Sequence, residues 1–230
     1  MRVLPLCLAT LGTALLATAC TPSSPPAAET TTPAGGDVAP AESTAANFRC
    51  GDLLVGVDFD TAADTATLSW SGHRRVLPQA EAASGARYAD DDGTVFWNKG
   101  DAATFSLAGA DPLDCSTTED VSPWDEARAR GVAFRAIGTE PGWMVEIDGG
   151  DAAVLRAELD YGERRLEATN VEAAADGSRY TATAGDGTQL ELAVTPGDCS
   201  DGMSDQTYPA SVALTEGGRT LRGCGAFLDR

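Results

Sequence analysis

The sequence predicts an all-β protein with two small antiparallel domains, each a barrel or a meander with one disulfide. Two observations predict this class: apolar residues alternate with polar ones in short runs separated by turn residues, and four cysteines fall as one pair in each of two such blocks. A polar N-terminal stretch without apolar periodicity further predicts that a disordered tether precedes both domains.

The N-terminus has the pattern of an export signal. Met1-Arg2 is followed by an almost wholly apolar run from Val3 to Leu16, and then by the small residues Ala17-Thr18-Ala19. The apolar run is too short to span a bilayer, and small residues at this position favour cleavage. We therefore expect residues 1–19 to be a signal peptide and the mature chain to be extracytoplasmic.

Cleavage directly before Cys20 resembles the lipobox of bacterial lipoproteins, in which that thiol carries lipid and becomes the new N-terminus. Several acyl chains give the stable membrane anchorage that one chain does not. Thr21 stands where one sorting pathway uses Asp to retain lipoproteins in the inner membrane, so we expect an outer-membrane protein that faces the periplasm. The alternative is an ordinary secretory signal followed by an incidental cysteine.

Residues 20–47 join this anchor to the first domain. Beyond Cys20 they are rich in Pro, Ser, Thr, Ala and Gly. Such a composition cannot bury enough apolar surface to order itself, so the segment is predicted to be a disordered linker.

Once the signal and lipid-bearing cysteines are set aside, four cysteines remain, and they allow three pairings. Cys50 and Cys115 bracket the first β-rich block, whereas Cys199 and Cys224 lie in the second. We therefore expect the disulfides Cys50–Cys115 and Cys199–Cys224. The chain has no C-x-x-C pair and a single histidine, His73, so no metal site is expected.

The net charge is −19 and is spread over the chain. Residues 50–115 hold eleven acids and four bases, net −7, and residues 130–230 hold seventeen and nine, net −8. An acidic surface repels nucleic acid and attracts basic proteins, so the charge excludes a nucleic-acid partner.

Residues 48–116 carry the strand patterns of the first domain. Apolar and polar residues alternate at 53–59 and at 65–70, and Ser71-Gly72 turns the chain back into 74–77, which indicates a hairpin. Residues 94–98 form a later strand with Val95 and Trp97 on one face. We expect a small antiparallel sheet or barrel, whose marginal core needs the Cys50–Cys115 disulfide.

Two motifs in this block carry a family resemblance. Between the two cysteines, a hairpin ending in Leu77-Pro78 is followed by Ser84-Gly85-x-x-Tyr88 and then by Gly93-x-Val95-Phe96-Trp97-x-Lys99-Gly100-Asp101. Together and in this order, they resemble the membrane-bound inhibitor of c-type lysozyme. The resemblance covers residues 48–115, under a third of the chain.

The resemblance implies a small β-barrel that blocks lysozyme by inserting a loop serine and a loop lysine into the catalytic cleft. Ser84 and Lys99 occupy those positions, with Gly85 and Tyr88 completing the first motif. The implied partner is a basic c-type lysozyme. Lys99 is also the only lysine in the chain, which favours a role for a compact charge. The alternatives are a solvated turn lysine and a turn-forming Ser-Gly pair.

Residues 117–130 are predicted to be a linker, although 125–130 are compatible with one helical turn. Residues 131–230 form the second block, where short alternating runs are separated by turns such as Asp176-Gly177, Asp186-Gly187 and Gly217-Gly218. We expect an all-β meander or barrel of unknown function. Its segments 138–143, 199–205 and 221–225 resemble a family of uncharacterised bacterial envelope domains.

Three features of the second block have a functional and a structural interpretation. Trp143 and Tyr208 are candidates for a binding groove, and core packing is the alternative. Ser200-Asp201-Gly202 is a candidate cation loop, but it lacks the spacing of a calcium site, which favours a turn.

The sequence offers no catalytic apparatus. It contains no G-x-S-x-G motif, its single histidine lies beside a hairpin turn, and its cysteines are expected to be paired. We therefore expect no catalytic residue and no cofactor, and a lipid-anchored inhibitor of c-type lysozyme. The alternatives are a non-inhibitory envelope scaffold or ligand-binding lipoprotein and, with less support, a hydrolase in residues 130–230.

Overall fold

The structure is a computed structural model, and it describes residues 43–229. The predicted signal, the lipidation site Cys20 and most of the predicted linker therefore lie outside the described residues. Residues 43–229 form an all-β protein with one short helix, which confirms the predicted fold class. Within them, no helix combines the length and the apolar character that crossing a membrane requires.

The first sheet is a closed eight-stranded antiparallel barrel, in which each strand pairs with its neighbours in the chain and the last pairs with the first. The strands are β1 (Ser43–Cys50), β2 (Leu53–Asp60), β3 (Thr65–Trp70), β4 (His73–Ala80), β5 (Ala86–Ala89), β6 (Val95–Lys99), β7 (Ala102–Ser106) and β8 (Leu113–Thr118).

Alternation along the strands fills the barrel with apolar side chains. Val55 and Val57 on β2, and Leu68 and Trp70 on β3, point inward as their period of two predicts. Phe96 lies at the centre, with its ring centroid 5.1 Å from that of Phe48 in an edge-to-face arrangement. Because Phe96 points inward, its neighbours Val95 and Trp97 on β6 point to the outside of the barrel.

The barrel begins earlier than the sequence suggests. Strand β1 starts at Ser43 and pairs with β2 from Ser43↔Asp60 onward, so residues 43–47 belong to the barrel and not to the linker. These residues are small and show no apolar alternation, and their order comes from pairing with β2, which sequence periodicity does not reveal. Similarly, β4 continues through Pro78 to Ala80 instead of ending at the proline.

The C-terminal block forms one nine-stranded antiparallel sheet in the order β12-β11-β10-β9-β17-β16-β15-β14-β13. Its strands are β9 (Val132–Thr139), β10 (Gly142–Asp148), β11 (Leu155–Leu159), β12 (Arg164–Ala168), β13 (Glu172–Ala173), β14 (Arg179–Thr183), β15 (Gln189–Ser200), β16 (Thr207–Glu216) and β17 (Arg219–Phe227), with a 3₁₀ turn at Asp160–Gly162.

This sheet curls around its own apolar core, to which every strand from β9 to β12 and from β14 to β17 contributes. The two ends of the sheet approach each other, because Gly185 N, just after β14, donates a hydrogen bond of 3.1 Å to the carbonyl of Glu167 in β12. Trp143 is buried in the core and donates its indole N–H to the Arg222 carbonyl. Tyr208 is also buried, so the packing interpretation of both aromatics is confirmed.

The predicted linker contains helix α1 (Pro123–Ala129). Its N-cap is Ser122, whose side chain accepts a hydrogen bond from Trp124 N. Trp124 is buried against Tyr208 of β16, with ring centroids 5.4 Å apart. On the other side, Asp125 Oδ2 would lie 3.2 Å from a Cβ added to Gly56 of the barrel. The helix therefore packs between the two sheets and does not act as a flexible spacer.

One end of the barrel contacts the C-terminal sheet directly through the turn between β3 and β4. Ser71 Oγ donates a hydrogen bond of 2.9 Å to Gln206 Oε1. His73 Nε2 lies 3.0 Å from the Thr207 carbonyl, and because a carbonyl only accepts, this nitrogen carries the proton. Gly72 touches β17 so closely that an added Cβ would lie 2.3 Å from the Ala226 Cβ.

Both expected disulfides are present. Cys50 and Cys115 lie directly opposite each other on β1 and β8, so their bond joins the two strands that close the barrel. Cys199–Cys224 joins β15 to β17 across β16. The paired cysteines are 65 residues apart in the sequence in the first disulfide and 25 residues apart in the second.

Removing the barrel disulfide should destabilise the protein more than removing the sheet disulfide. Loop-closure entropy predicts a loss of about 4 kcal/mol for Cys50→Ala with Cys115→Ala, and about 3.5 kcal/mol for Cys199→Ala with Cys224→Ala. Equilibrium urea unfolding of the oxidised protein measures both. Equal stability of the barrel double variant and the unsubstituted protein would contradict the prediction.

His73 should make the folded state less stable at mildly acidic pH. Burial lowers its pKa below the usual 6.5, against the opposing effects of the Thr207 carbonyl and Asp198, while Arg75 adds to the lowering. The unfolded chain therefore takes up the proton first as the pH falls below about 6.5, and the free energy of unfolding decreases until the folded pKa is passed.

The variant His73→Gln keeps an N–H donor for Thr207 and does not titrate. Its free energy of unfolding should therefore fall less steeply between pH 7 and pH 5 than that of the unsubstituted protein, measured by urea unfolding at each pH. Parallel pH profiles for the two proteins would show that His73 is not a source of the acid sensitivity.

Candidate functional site

The two family motifs meet at the end of the barrel that faces away from the C-terminal sheet. In an antiparallel barrel, alternate turns lie at the same end, so the β4–β5 and β6–β7 turns share one end while the β3–β4 turn lies at the other. The β3–β4 turn is the one that contacts Gln206 and Thr207. The loops that carry Ser84 and Lys99 are therefore left uncovered by the C-terminal sheet.

Lys99 is the last residue of β6 and is exposed. A two-residue turn, Gly100-Asp101, leads into β7, and Gly100 adopts the left-handed φ of +68° that a side chain disfavours. Asn98 supports the turn by donating its side-chain N–H to the Gly100 carbonyl at 2.9 Å. The tight turn places the lysine stem at the rim of the barrel.

Ser84 lies in the loop between β4 and β5 and is exposed. The next residue, Gly85, has φ +70° and lies against the Lys99 strand: an added Cβ would be 2.3 Å from the Asn98 carbonyl oxygen and 2.9 Å from Lys99 Cγ. Only glycine permits both the backbone conformation and this close approach. Gly85 thus brings the serine loop into contact with the lysine strand.

Trp97 makes a contact to each of the two loops. Its indole Nε1 donates a hydrogen bond of 2.8 Å to the Ser84 carbonyl. Its ring lies beneath the Lys99 ammonium, with Nζ 3.6 Å from the ring centroid, which is a cation–π distance. Trp97 and Lys99 are two residues apart on β6, so they lie on the same outer face.

The Lys99 ammonium and the Ser84 hydroxyl have no polar partner within the described part of the chain. No carboxylate of residues 43–229 lies within 4.0 Å of the ammonium, although the barrel carries many acids. The hydroxyl makes no hydrogen bond to residues 43–229, because only the carbonyl of Ser84 is engaged, by Trp97. The positive charge and the hydroxyl are both free for an external partner.

Tyr88 lies below this surface instead of on it. It is buried in the barrel core, with its ring centroid 5.7 Å from that of Phe59. Burial raises the pKa of its hydroxyl, and Asp64 adds to this. Tyr88 therefore anchors β5, the strand that follows Gly85, and its ring is not available to a partner.

Trp97 is the member of the site that sequence reasoning does not single out. Its position two residues before the only lysine is a usable signal, because residues i and i+2 of a strand share a face. Because Phe96 points into the core, Trp97 lies on the outer face of the barrel, where a large aromatic side chain suggests a specific contact. Its hydrogen bond to Ser84 is visible only in the structure.

Other candidate sites have structural explanations. Asp201 Oδ1 accepts hydrogen bonds from Met203 N at 2.9 Å and Ser204 N at 3.1 Å, so its loop is a turn, as its spacing favours. Residues 43–229 contain no cluster of three or more His, Cys, Asp or Glu side chains suited to a metal ion.

The barrel with its disulfide and two converging motifs has known relatives. Residues 48–114 match the family model of the membrane-bound lysozyme-inhibitor of c-type lysozyme. This confirms the resemblance drawn from the two motifs. The match coincides with the barrel from within β1 to the start of β8 and ends before helix α1.

A similar protein is the membrane-bound lysozyme inhibitor of C-type lysozyme from Yersinia enterocolitica serotype O:8 / biotype 1B. It is 40% identical over 57 residues, which are 25% of this chain and 48% of that protein. The chain therefore spans about half the length of this curated relative.

Substituting Gly85 should displace the serine loop and destabilise the barrel. Gly85→Ala combines a left-handed φ with a clash against the Asn98 carbonyl, whereas Gly109→Ala has the same kind of φ, +76°, and no atom within 4 Å of the added Cβ. We expect Gly109→Ala to lower the free energy of unfolding by about 1–2 kcal/mol. Gly85→Ala should lower it by about 1–3 kcal/mol more.

Urea unfolding of the two variants separates the shared backbone strain from the clash. Equal losses in Gly85→Ala and Gly109→Ala would show that the serine loop moves freely away from β6, and that the close approach is not a constraint.

Proposed function

We propose that this protein inhibits c-type lysozyme by inserting the Lys99 ammonium and the Ser84 hydroxyl into the catalytic cleft. The observation that carries the proposal is that both groups meet at one exposed end of the barrel with no internal polar partner among residues 43–229. The family match over residues 48–114 supports the same partner class.

The chemistry of the target explains why a lysine suits this role. A c-type lysozyme cleaves glycan between two carboxyl groups, of which one must hold a proton and the other must be ionised. An ammonium placed beside them pairs with the ionised carboxylate and lowers the proton affinity of the other. Both catalytic roles then fail. The narrow stem and compact charge of lysine fit a cleft better than the broad, planar guanidinium of arginine.

The serine has a complementary role in this proposal. A hydroxyl both donates and accepts hydrogen bonds, so Ser84 can replace water that would otherwise bond to the cleft carboxyl groups. Because it is not engaged within the described residues, it binds the partner without losing an internal hydrogen bond.

The acidic surface supports a basic partner. The chain has a net charge of −19, and an acidic protein speeds its encounter with a basic enzyme through long-range attraction. Lys99 is an exposed positive charge within a surface that is negative overall. The overall field therefore favours approach of the enzyme, while the lysine pairs with the acidic groups of its cleft.

The position of the second domain is compatible with this contact. The C-terminal sheet packs on the β3–β4 turn, at the end of the barrel opposite to Lys99. A globular enzyme can therefore cover the lysine end without displacing the C-terminal sheet. The proposal requires no catalytic residue in this chain.

We further propose that Cys20 anchors the protein to the cell envelope through lipid, at the outer membrane and facing the periplasm. The support is the apolar leader with small residues before Cys20, together with the name of the Yersinia relative, which describes a membrane-bound protein. An anchored inhibitor would act close to the peptidoglycan that lysozyme attacks.

Lys99→Ala should weaken the binding of a c-type lysozyme by about 2–5 kcal/mol, because it removes a charge paired with desolvated carboxyl groups. The inhibition constant is measured by following cell-wall lysis with the full chain. Arg165→Ala is the matched control, since it removes one positive charge from an exposed side chain of the C-terminal sheet.

The control should leave the inhibition constant within about twofold, because a surface pair contributes little. An unchanged inhibition constant for Lys99→Ala would remove this residue from the mechanism. Equal losses in both variants would indicate that only net charge matters. No inhibition by the unsubstituted chain would favour a non-inhibitory envelope protein.

A further inference from the structure

We propose that Trp97 is a positioning residue that holds Ser84 and Lys99 in one arrangement before a partner binds. The inference rests on the proposed function and concerns the same site. It assigns to the indole two separate tasks, one for its N–H group and one for its ring face, and these tasks can be separated by substitution.

The indole N–H fixes the serine loop. Trp97 is on β6 and Ser84 lies in the loop before β5, so the hydrogen bond of 2.8 Å between Nε1 and the Ser84 carbonyl joins two chain segments. It engages the backbone of Ser84 and leaves the hydroxyl free. The loop is thereby held at an exposed residue, and the hydroxyl proposed to bind the partner is not used.

The ring face holds the lysine. The Lys99 ammonium lies 3.6 Å from the Trp97 ring centroid. A carboxylate at this place would neutralise the charge, and its pairing would have to be broken before a cleft carboxyl group could bind. The indole attracts the ammonium more weakly and leaves its N–H donors unused, so the lysine is oriented and still available.

Packing against neighbouring strands restricts the position of the Trp97 indole. Trp97 is only partly exposed, and the β-ladder places it between Arg87 of β5 and Thr104 of β7. Gly85 closes the arrangement, since a side chain at this position would collide with the backbone of Asn98 and the stem of Lys99. The three contacts restrict two otherwise mobile groups, and binding then loses less conformational entropy.

The contact between Lys99 and the Trp97 ring can be observed by NMR, because Lys99 is the only lysine in the chain. With ¹³C-labelled lysine, the full chain gives one set of ε-CH₂ signals. The Trp97 ring current should shift these protons upfield from the value of a free lysine. Trp97→Leu should return them to that value, whereas Trp97→Phe should retain part of the shift.

The contact with the serine loop can be measured by hydrogen exchange of the Trp97 indole N–H, which donates to the Ser84 carbonyl. In the unsubstituted chain this proton should exchange with solvent more slowly than that of a free indole, because it is hydrogen bonded. Gly85→Ala should accelerate the exchange by displacing the Ser84 carbonyl.

Inhibition of a c-type lysozyme tests the positioning role. Trp97→Phe keeps an aromatic face and loses the N–H, so the inhibition constant should rise about threefold; Trp97→Leu loses both contacts, and the rise should be about tenfold or more. In the double variant Trp97→Leu with Lys99→Ala, the loss should be smaller than the product of the single losses, because the two residues act together.

Trp143→Phe is the matched control. It also removes an indole N–H bonded to a backbone carbonyl, that of Arg222, but within the core of the C-terminal sheet. It should leave the lysine signal and the inhibition constant unchanged.

The outcomes separate the inference from the proposed function. An unshifted lysine signal in the unsubstituted chain, or an unchanged inhibition constant for Trp97→Leu, overturns the positioning role. If Lys99→Ala raises the inhibition constant but Trp97→Leu does not, the function holds and the inference fails. If the unsubstituted chain does not inhibit, the proposed function fails and the positioning role for binding fails with it, even where both spectroscopic signals show the contacts.

Discussion

Pairing of β1 with β8 is the constraint on which the rest of the structure depends. It closes the barrel, and the Cys50–Cys115 disulfide lies directly across this pair. Closure leaves no free edge among the eight strands, and their antiparallel order fixes which turns share an end. The serine and lysine loops come from different hairpins, and the pairing of β5 with β6 holds them at the same rim. The contacts of Gly85 and Trp97 then fix the two loops relative to each other on the barrel.

The second consequence of this arrangement is a division of the barrel into two ends. One end, at Ser71 and His73, is joined to the C-terminal sheet by hydrogen bonds, and helix α1 packs between the sheets. The other end carries the exposed Ser84 and Lys99. The single histidine and the single lysine thus lie at opposite ends. Residues proposed to bind a partner are separated from residues that hold the domains together, so changes at one end need not disturb the other.

Sequence reasoning predicts most of what depends on local pattern. Alternation identifies the inward residues of β2 and β3, since a period of two requires no knowledge of the neighbouring strands. It misses the start of β1 at Ser43, because residues 43–47 show no apolar alternation and are ordered by pairing with β2. The prediction that Pro78 ends β4 is wrong, since the strand continues through Pro78 to Ala80. At the site, Ser84 and Lys99 are found from the motifs, whereas Tyr88 belongs to the same motif but is buried in the core.

The sequence by itself determined the all-β class, the two disulfides and the two motifs, because each of these follows from residue types and their spacing along the chain. Tertiary structure alone decided that the predicted linker contains a packed helix, that Trp97 links the two loops and that the C-terminal sheet contacts the opposite end of the barrel. The physical reason is that these properties depend on contacts between segments far apart in the chain. The hydrogen bond from Trp97 to the Ser84 carbonyl, for example, cannot be predicted from the alternation of apolar and polar residues along the chain.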